Sequence, residues 1–257
     1  MLGFGLTAVL ALVPATARAQ GGPPLLTDDP DTPGPGHWEI NTAAVFDNSH
    51  AEHRLEAPLV DLNYGVGRRI QLKLEMPWLR VRETGTPAQT GMGNSTVGVK
   101  WRFLGQEHKT LAWSIYPQVE FNNGHSSAAK GLVENGSQLL LPTEVTLELG
   151  HFEIYGEIGR IFVHDGEDVW VDGVTTEIAV APRLELLAEL HGESHASDPS
   201  DVVFNIGARQ TITQKIVLLL AVGRGSRGGP EHSPHLILYS GIQLRLPGPY
   251  SFDTPAH

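Results

Sequence analysis

Cysteine is absent from the 257 residues. That removes disulfide frameworks, thiolate metal sites and cysteine nucleophiles together. Positive charge is scarce: 18 Lys and Arg stand against 29 Asp and Glu, for a formal net charge of −11. Phosphate contacts demand a basic face, so the balance argues against nucleic acid as a partner. No apolar run approaches the roughly 20 residues of a spanning helix, which excludes helical transporters. No Gly-rich phosphate loop or dinucleotide fingerprint stands between a strand and a helix, and no cofactor is implied.

What the chain does have is alternation. Ile70, Leu72, Leu74, Met76 and Trp78 share one parity, with Gln71, Lys73 and Glu75 on the other. Val97, Val99, Trp101 and Phe103 oppose Thr96, Gly98, Lys100 and Arg102 in the same way. Side chains on a strand point alternately to opposite faces, so each segment has an apolar face and a charged one. Such segments recur at 37–47, 55–65, 69–80, 94–104, 110–121, 137–147, 151–162, 174–182, 184–192, 201–209, 214–223 and 235–246. The gaps between them alternate short and long, the long ones rich in Gly, Ser, His and Asp. Short periplasmic turns, longer outer loops and an even strand number describe a bacterial outer-membrane barrel. The expected fold is therefore all-β: a closed, antiparallel, up-and-down transmembrane β-barrel of about 12 strands, with ten or fourteen also fitting.

Four segments follow. Residues 1–19 read as an export signal, with a mostly apolar core over 2–13 and Ala17-Arg18-Ala19 before the cut. Residues 20–36 are an irregular periplasmic lead-in, 37–246 the barrel and 247–257 a C-terminal tail. Outer-membrane lipid faces Trp38, Ile40, Val60, Trp113, Leu141, Phe152, Phe204 and Ile242 among others, with Trp38, Tyr64, Trp78, Trp101, Phe103, Trp113 and Phe121 near strand ends as an interfacial belt. Tyr239, Gly241, Leu244 and Leu246 match the spacing of the C-terminal signal read by the barrel-assembly machinery.

The same register points Glu39, Asp61, Glu75, Glu120, Glu144, Glu153, Glu157, Glu177, Glu185 and Glu189 into the lumen, with Lys73, Lys100, Arg102, Arg183, Arg209 and Arg245. Eight strands are just filled by their own side chains and sixteen leave an aqueous channel, so twelve implies a narrow interior whose charges pair. The lead-in, stiffened by Pro30, Pro33 and Pro35, carries Asp28, Asp29 and Asp31. It is either a loose tether or a plug in the periplasmic mouth, its carboxylates meeting Arg102, Arg183 or Arg245.

Twelve histidines are many for this length. The pairs His50/His53, His191/His195 and His232/His235 are candidate ligands for Zn, Cu or Ni at the outer end. His125-Ser126-Ser127 sets a His and a Ser two apart, as in outer-membrane phospholipases, but without a visible orienting group, so no catalytic residue is assigned.

The stretches TDDPDTPGPGHWEIN (27–41), GNSTVGVKWRFL (93–104) and SIYPQVEFNNG (114–124) resemble a bacterial outer-membrane barrel family labelled as transporters of the meta-pathway of phenol degradation. The resemblance runs from about residue 26 to 246. It implies an exported barrel that passes small, often aromatic or apolar, molecules, and brings no catalytic residues with it. The expected function is a transporter or channel for small solutes in the bacterial outer membrane, not an enzyme. The alternative is a non-conducting structural or surface-binding barrel whose His-rich outer loops capture metal.

Overall fold

A computed structural model describes residues 22–49, 52–105, 110–123, 125–133, 135–164, 166–196, 200–225 and 236–247. The export-signal residues, His50, His232, His235 and the tail beyond Pro247 lie outside that set.

The elements in chain order are β1 (Trp38–Asn48), β2 (Glu52–Val66), β3 (Ile70–Glu83), β4 (Gln89–Met92), β5 (Ser95–Leu104), β6 (Leu111–Ile115), β7 (Gln118–Phe121), α1 (His125–Ala129), β8 (Ser137–Leu149), β9 (Phe152–Val163), β10 (Val169–Ala181), β11 (Leu184–Ser194), β12 (Asp201–Thr213), β13 (Ile216–Gly225) and β14 (Leu236–Leu246). Every neighbouring pair is antiparallel. The ring closes because β1 pairs with β14, Trp38 opposite Leu246, and β3 pairs with β5, Ile70 opposite Trp101.

Fourteen strand segments make twelve staves, since β4 with β5 and β6 with β7 each span the wall as one. Proline explains the interruptions, because it cannot donate to the ladder. Pro117 separates β6 from β7, and its carbonyl accepts from Val99 N–H at 3.0 Å. Gly93, between β4 and β5, donates to Pro77 of β3 at 2.9 Å, and Tyr116 donates to Pro142 of β8 at 3.2 Å.

The short turns lie at the end that carries Trp38 and Leu246. Gly67 (φ 61°) and Gly150 (φ 69°) supply the left-handed conformation that two of these tight turns require. Trp38 and Tyr64 pack at 4.7 Å between ring centroids there, and Phe103 packs on Trp113 at 5.4 Å. These rings form the inner interfacial belt.

The outward face is apolar nearly throughout. Val99 is 47% exposed, Ile158 54% and Phe204 46%. A monomer in water rarely exposes contiguous apolar patches beyond a few hundred Å². This closed barrel with an encircling apolar band sits in the outer membrane.

Two strands begin earlier than alternation suggested. β10 starts at Val169, not near 174, and β2 at Glu52, not near 55. Asp172-Gly173 resembles a turn in sequence, yet Val169 and Val171 continue the inward parity through it.

Candidate functional site in the barrel lumen

The lumen divides along its axis. Towards the outer end five staves turn apolar side chains inward: Leu79 and Val81 on β3, Leu140 on β8, Ile161 on β9, Val169 and Val171 on β10, and Ile237 on β14, all buried. Asp47 of β1 and the Arg54–Glu56 pair of β2 face in at the same level. Leu132, in the segment after α1, packs against Leu79 and Val81 and narrows that mouth. β11 also turns polar groups inward near its outer end, His191 and Glu193, as β7 does with Gln118 and Glu120, and β13 carries apolar Val217 and Leu219 in its inner half.

The inner half is charged and filled by the lead-in. Leu25 is 4% exposed and Thr27 0%. The Glu189 carboxylate accepts from the backbone N–H of Leu26 at 3.0 Å and of Thr27 at 2.5 Å, and Glu157 accepts from Asp28 N–H at 3.2 Å. Asp28 meets the Lys100 ammonium at 2.9 Å, and Lys100 also donates to the Asp29 carbonyl and lies 3.5 Å from Glu144. Arg102 reaches Asp31 at 2.6 Å, and Arg209 donates to the Pro23 carbonyl at 3.3 Å. At the rim the lead-in joins the wall like a short strand, Gly36 N–H donating to Gly65 and Gly65 N–H to His37.

Two wall glycines make room for it. A Cβ on Gly65 would lie 1.8 Å from the Gly34 carbonyl oxygen, and one on Gly173 2.0 Å from Thr27 Oγ1. Burial pushes the Asp29 carboxyl above the usual carboxylate range, with Lys100 opposing and Asp31 and Asp28 adding to the rise.

The remaining lumen candidates sort by depth. Lys73 and Glu75 pair at 2.9 Å, and Asp61 accepts from Asn41 at 3.0 Å and Asn63 at 2.9 Å. Arg209 pairs with Glu177 at 2.7 Å and stands opposite Glu185. Glu39, opposite Arg245, and Glu153, opposite Glu177, lie at the inner rim, while Glu120 accepts from Asn94 at 2.7 Å near the outer end.

Two placements correct the sequence reading. Arg183 is exposed in the two-residue turn between β10 and β11, not on the lumen wall, and it meets no aspartate of the lead-in. Arg245 is exposed at the rim and donates to Gln243 rather than to the lead-in. The cation that pairs with Asp28 is Lys100.

Of the three histidine pairs only His191 and His195 both lie among the described residues, and they do not form a metal centre. His53 is exposed and pairs with Asn48, while His191 is buried in the lumen against Thr27. His195, four residues on, is about 13 Å further along an extended chain, too far to share an ion with His191. Among the described residues no three of His, Cys, Asp and Glu are grouped to hold a metal. Ser127 lies in α1 and is buried under Gly91 of β4.

The apolar outer lumen went unread in the sequence, although it leaves a signal. In β3 the apolar parity flips between Trp78 and Leu79, so that Leu79 and Val81 face in where Met76 and Trp78 face out.

No protein-family model matches the chain, and no curated protein does. Solved structures do resemble it. An outer-membrane channel from Pseudomonas putida F1 superposes with a TM-score of 0.72 at 15% identity, covering 85% of this chain and 98% of that one. The KdgM porin, solved with disordered oligogalacturonate, gives 0.55 at 12% identity over 80% of this chain and 98% of its own. The NanC porin gives 0.55 at 7% identity over the same shares. This chain thus has the fold of outer-membrane channels and porins.

Proposed function

We propose that the protein is an outer-membrane channel admitting small solutes with an apolar body, and that residues 22–37 are the barrier across its lumen. The observation that carries this reading is the division of the lumen. A solute entering from outside meets buried leucine, isoleucine and valine first, where apolar surface is favourably removed from water. Further in, the lead-in occupies the charged half, held by Asp28–Lys100 and Asp31–Arg102. Apolar side chains from β3, β8, β9, β10 and β14 line one part of that outer half, while Asp47, Arg54, Glu56, Gln118 and Glu120 supply polar groups on the other staves. The resemblance of residues 27–41 and 93–104 to the phenol meta-pathway family supports the same solute class.

Whole-cell uptake tests it. An apolar fluorophore held back by an intact lipopolysaccharide membrane should enter cells carrying the protein faster than cells lacking it. Replacing Leu79 and Val171 together by Asn should reduce the gain. Equal uptake with and without the protein would remove the solute-admitting reading.

A further inference from the structure

Where the tip of the lead-in meets the wall there is a partly open cleft, whose roughly 540 Å³ of non-atom space includes open solvent and whose enclosed part is small. Its sides are mostly apolar, from Pro24, Leu25 and Leu26 of the lead-in across to Leu59, Ala221 and Ile237. One edge is polar. Asn41 and Asp61, 1% and 3% exposed, both line it, with Tyr239 beside them. Among the described residues, Asn41 Oδ1, Asp61 Oδ1 and the Tyr239 hydroxyl have no hydrogen-bond partner. The bonds that the neighbouring donors make go to other atoms. Both neighbouring amides, Asn41 and Asn63, donate to the other Asp61 oxygen, and the Lys73 ammonium is held by Glu75.

Buried polar atoms are normally paired, and a buried carboxylate oxygen without a donor is costly. Two of the three atoms can only accept, so a ligand that completes this edge must donate. The nearby charges are Asp61 and Glu75 against Lys73, an excess of negative charge that excludes an anionic head and favours a cation. We infer that this cleft binds a small molecule with an apolar body and a primary ammonium head, the head meeting Asn41, Asp61 and Tyr239 and the body lying against Leu25, Leu26 and Ile237. Because the lead-in forms one wall, the ligand touches the barrier itself. This inference rests on the proposed admission of apolar solutes and adds the head group they carry.

Calorimetric titration of the purified full chain with hexylamine, hexan-1-ol and hexanoate separates head from body, since the three share one apolar chain. Hexylamine, protonated at neutral pH, should bind about tenfold tighter than the alcohol, as a charge-assisted hydrogen bond provides, and hexanoate should not bind. Asp61→Asn should bring the amine down to the alcohol's affinity and leave the alcohol unchanged. Tyr239→Phe, which preserves shape, should weaken the amine by about threefold. Ala221→Phe should fill the cleft and abolish both. Equal affinity for amine and alcohol, or an amine preference that survives both Asp61→Asn and Tyr239→Phe, would overturn the assignment. Amine-selective binding without whole-cell uptake would leave the site standing and remove the reading of solute entry.

Discussion

The carbonyl oxygen of Gly34 occupies the place where a side chain on Gly65 would start, 1.8 Å from its would-be Cβ. The oxygen is a backbone atom and a Cβ is fixed rigidly to its Cα, so neither side can swing aside. Gly65→Ala should therefore lift the lead-in from the rim without altering a single charge. Conductance in planar bilayers is expected to rise, while the heat-modifiable mobility of the folded barrel on gels stays as it was.

Lys100 is 1% exposed and gathers Asp28, the Asp29 carbonyl and Glu144. Lys100→Met leaves two buried carboxylates uncompensated, an effect of about 3–5 kcal/mol. The unfolding midpoint in denaturant should fall accordingly. Asp28→Asn in the same background should recover part of the loss, because it removes one of the stranded charges.

Val99 faces lipid between Trp101 and Val97. Arg at this position should cost about 2–4 kcal/mol if it lies near the bilayer midplane, and less towards an interface. Folding yield in lipid vesicles measures the difference.

A chain without cysteine allows single-site labelling directly. Cysteine at Val99 or Ile115 should react with membrane-soluble thiol reagents and not with water-soluble ones. Ser114 is 0% exposed beneath the charged cluster, so Ser114→Cys should resist both. It should become reactive to water-soluble reagents once residues 22–34 are removed.

Strand number and facing were legible because stretches such as Ile70–Trp78 and Val97–Phe103 keep one parity apolar for several residues at a time. A wall in contact with lipid requires that, and few other environments do. The interior was harder to read. Parity assigns a side chain to the inside without saying whether protein, water or lipid lies opposite, so Val171 gave no sign of an apolar outer lumen, and the parity flip at Leu79 is a signal legible only once the barrel is known. Gly173 reads as a turn residue from its neighbour Asp172; only its approach to Thr27 explains it. Arg183 was misplaced because it shares the parity of inward Glu185 and Glu189, yet β11 begins one residue later at Leu184 and leaves it in the turn.

Whether residues 22–34 close the lumen is the central question. Single-channel conductance of the full chain, set beside that of a chain lacking those residues, measures this. A larger and steadier conductance after deletion, with heat-modifiable mobility retained, is the expected result. Unchanged conductance in a correctly folded deletion would contradict it and leave the paired charges Lys73–Glu75 and Arg209–Glu177 as the barrier.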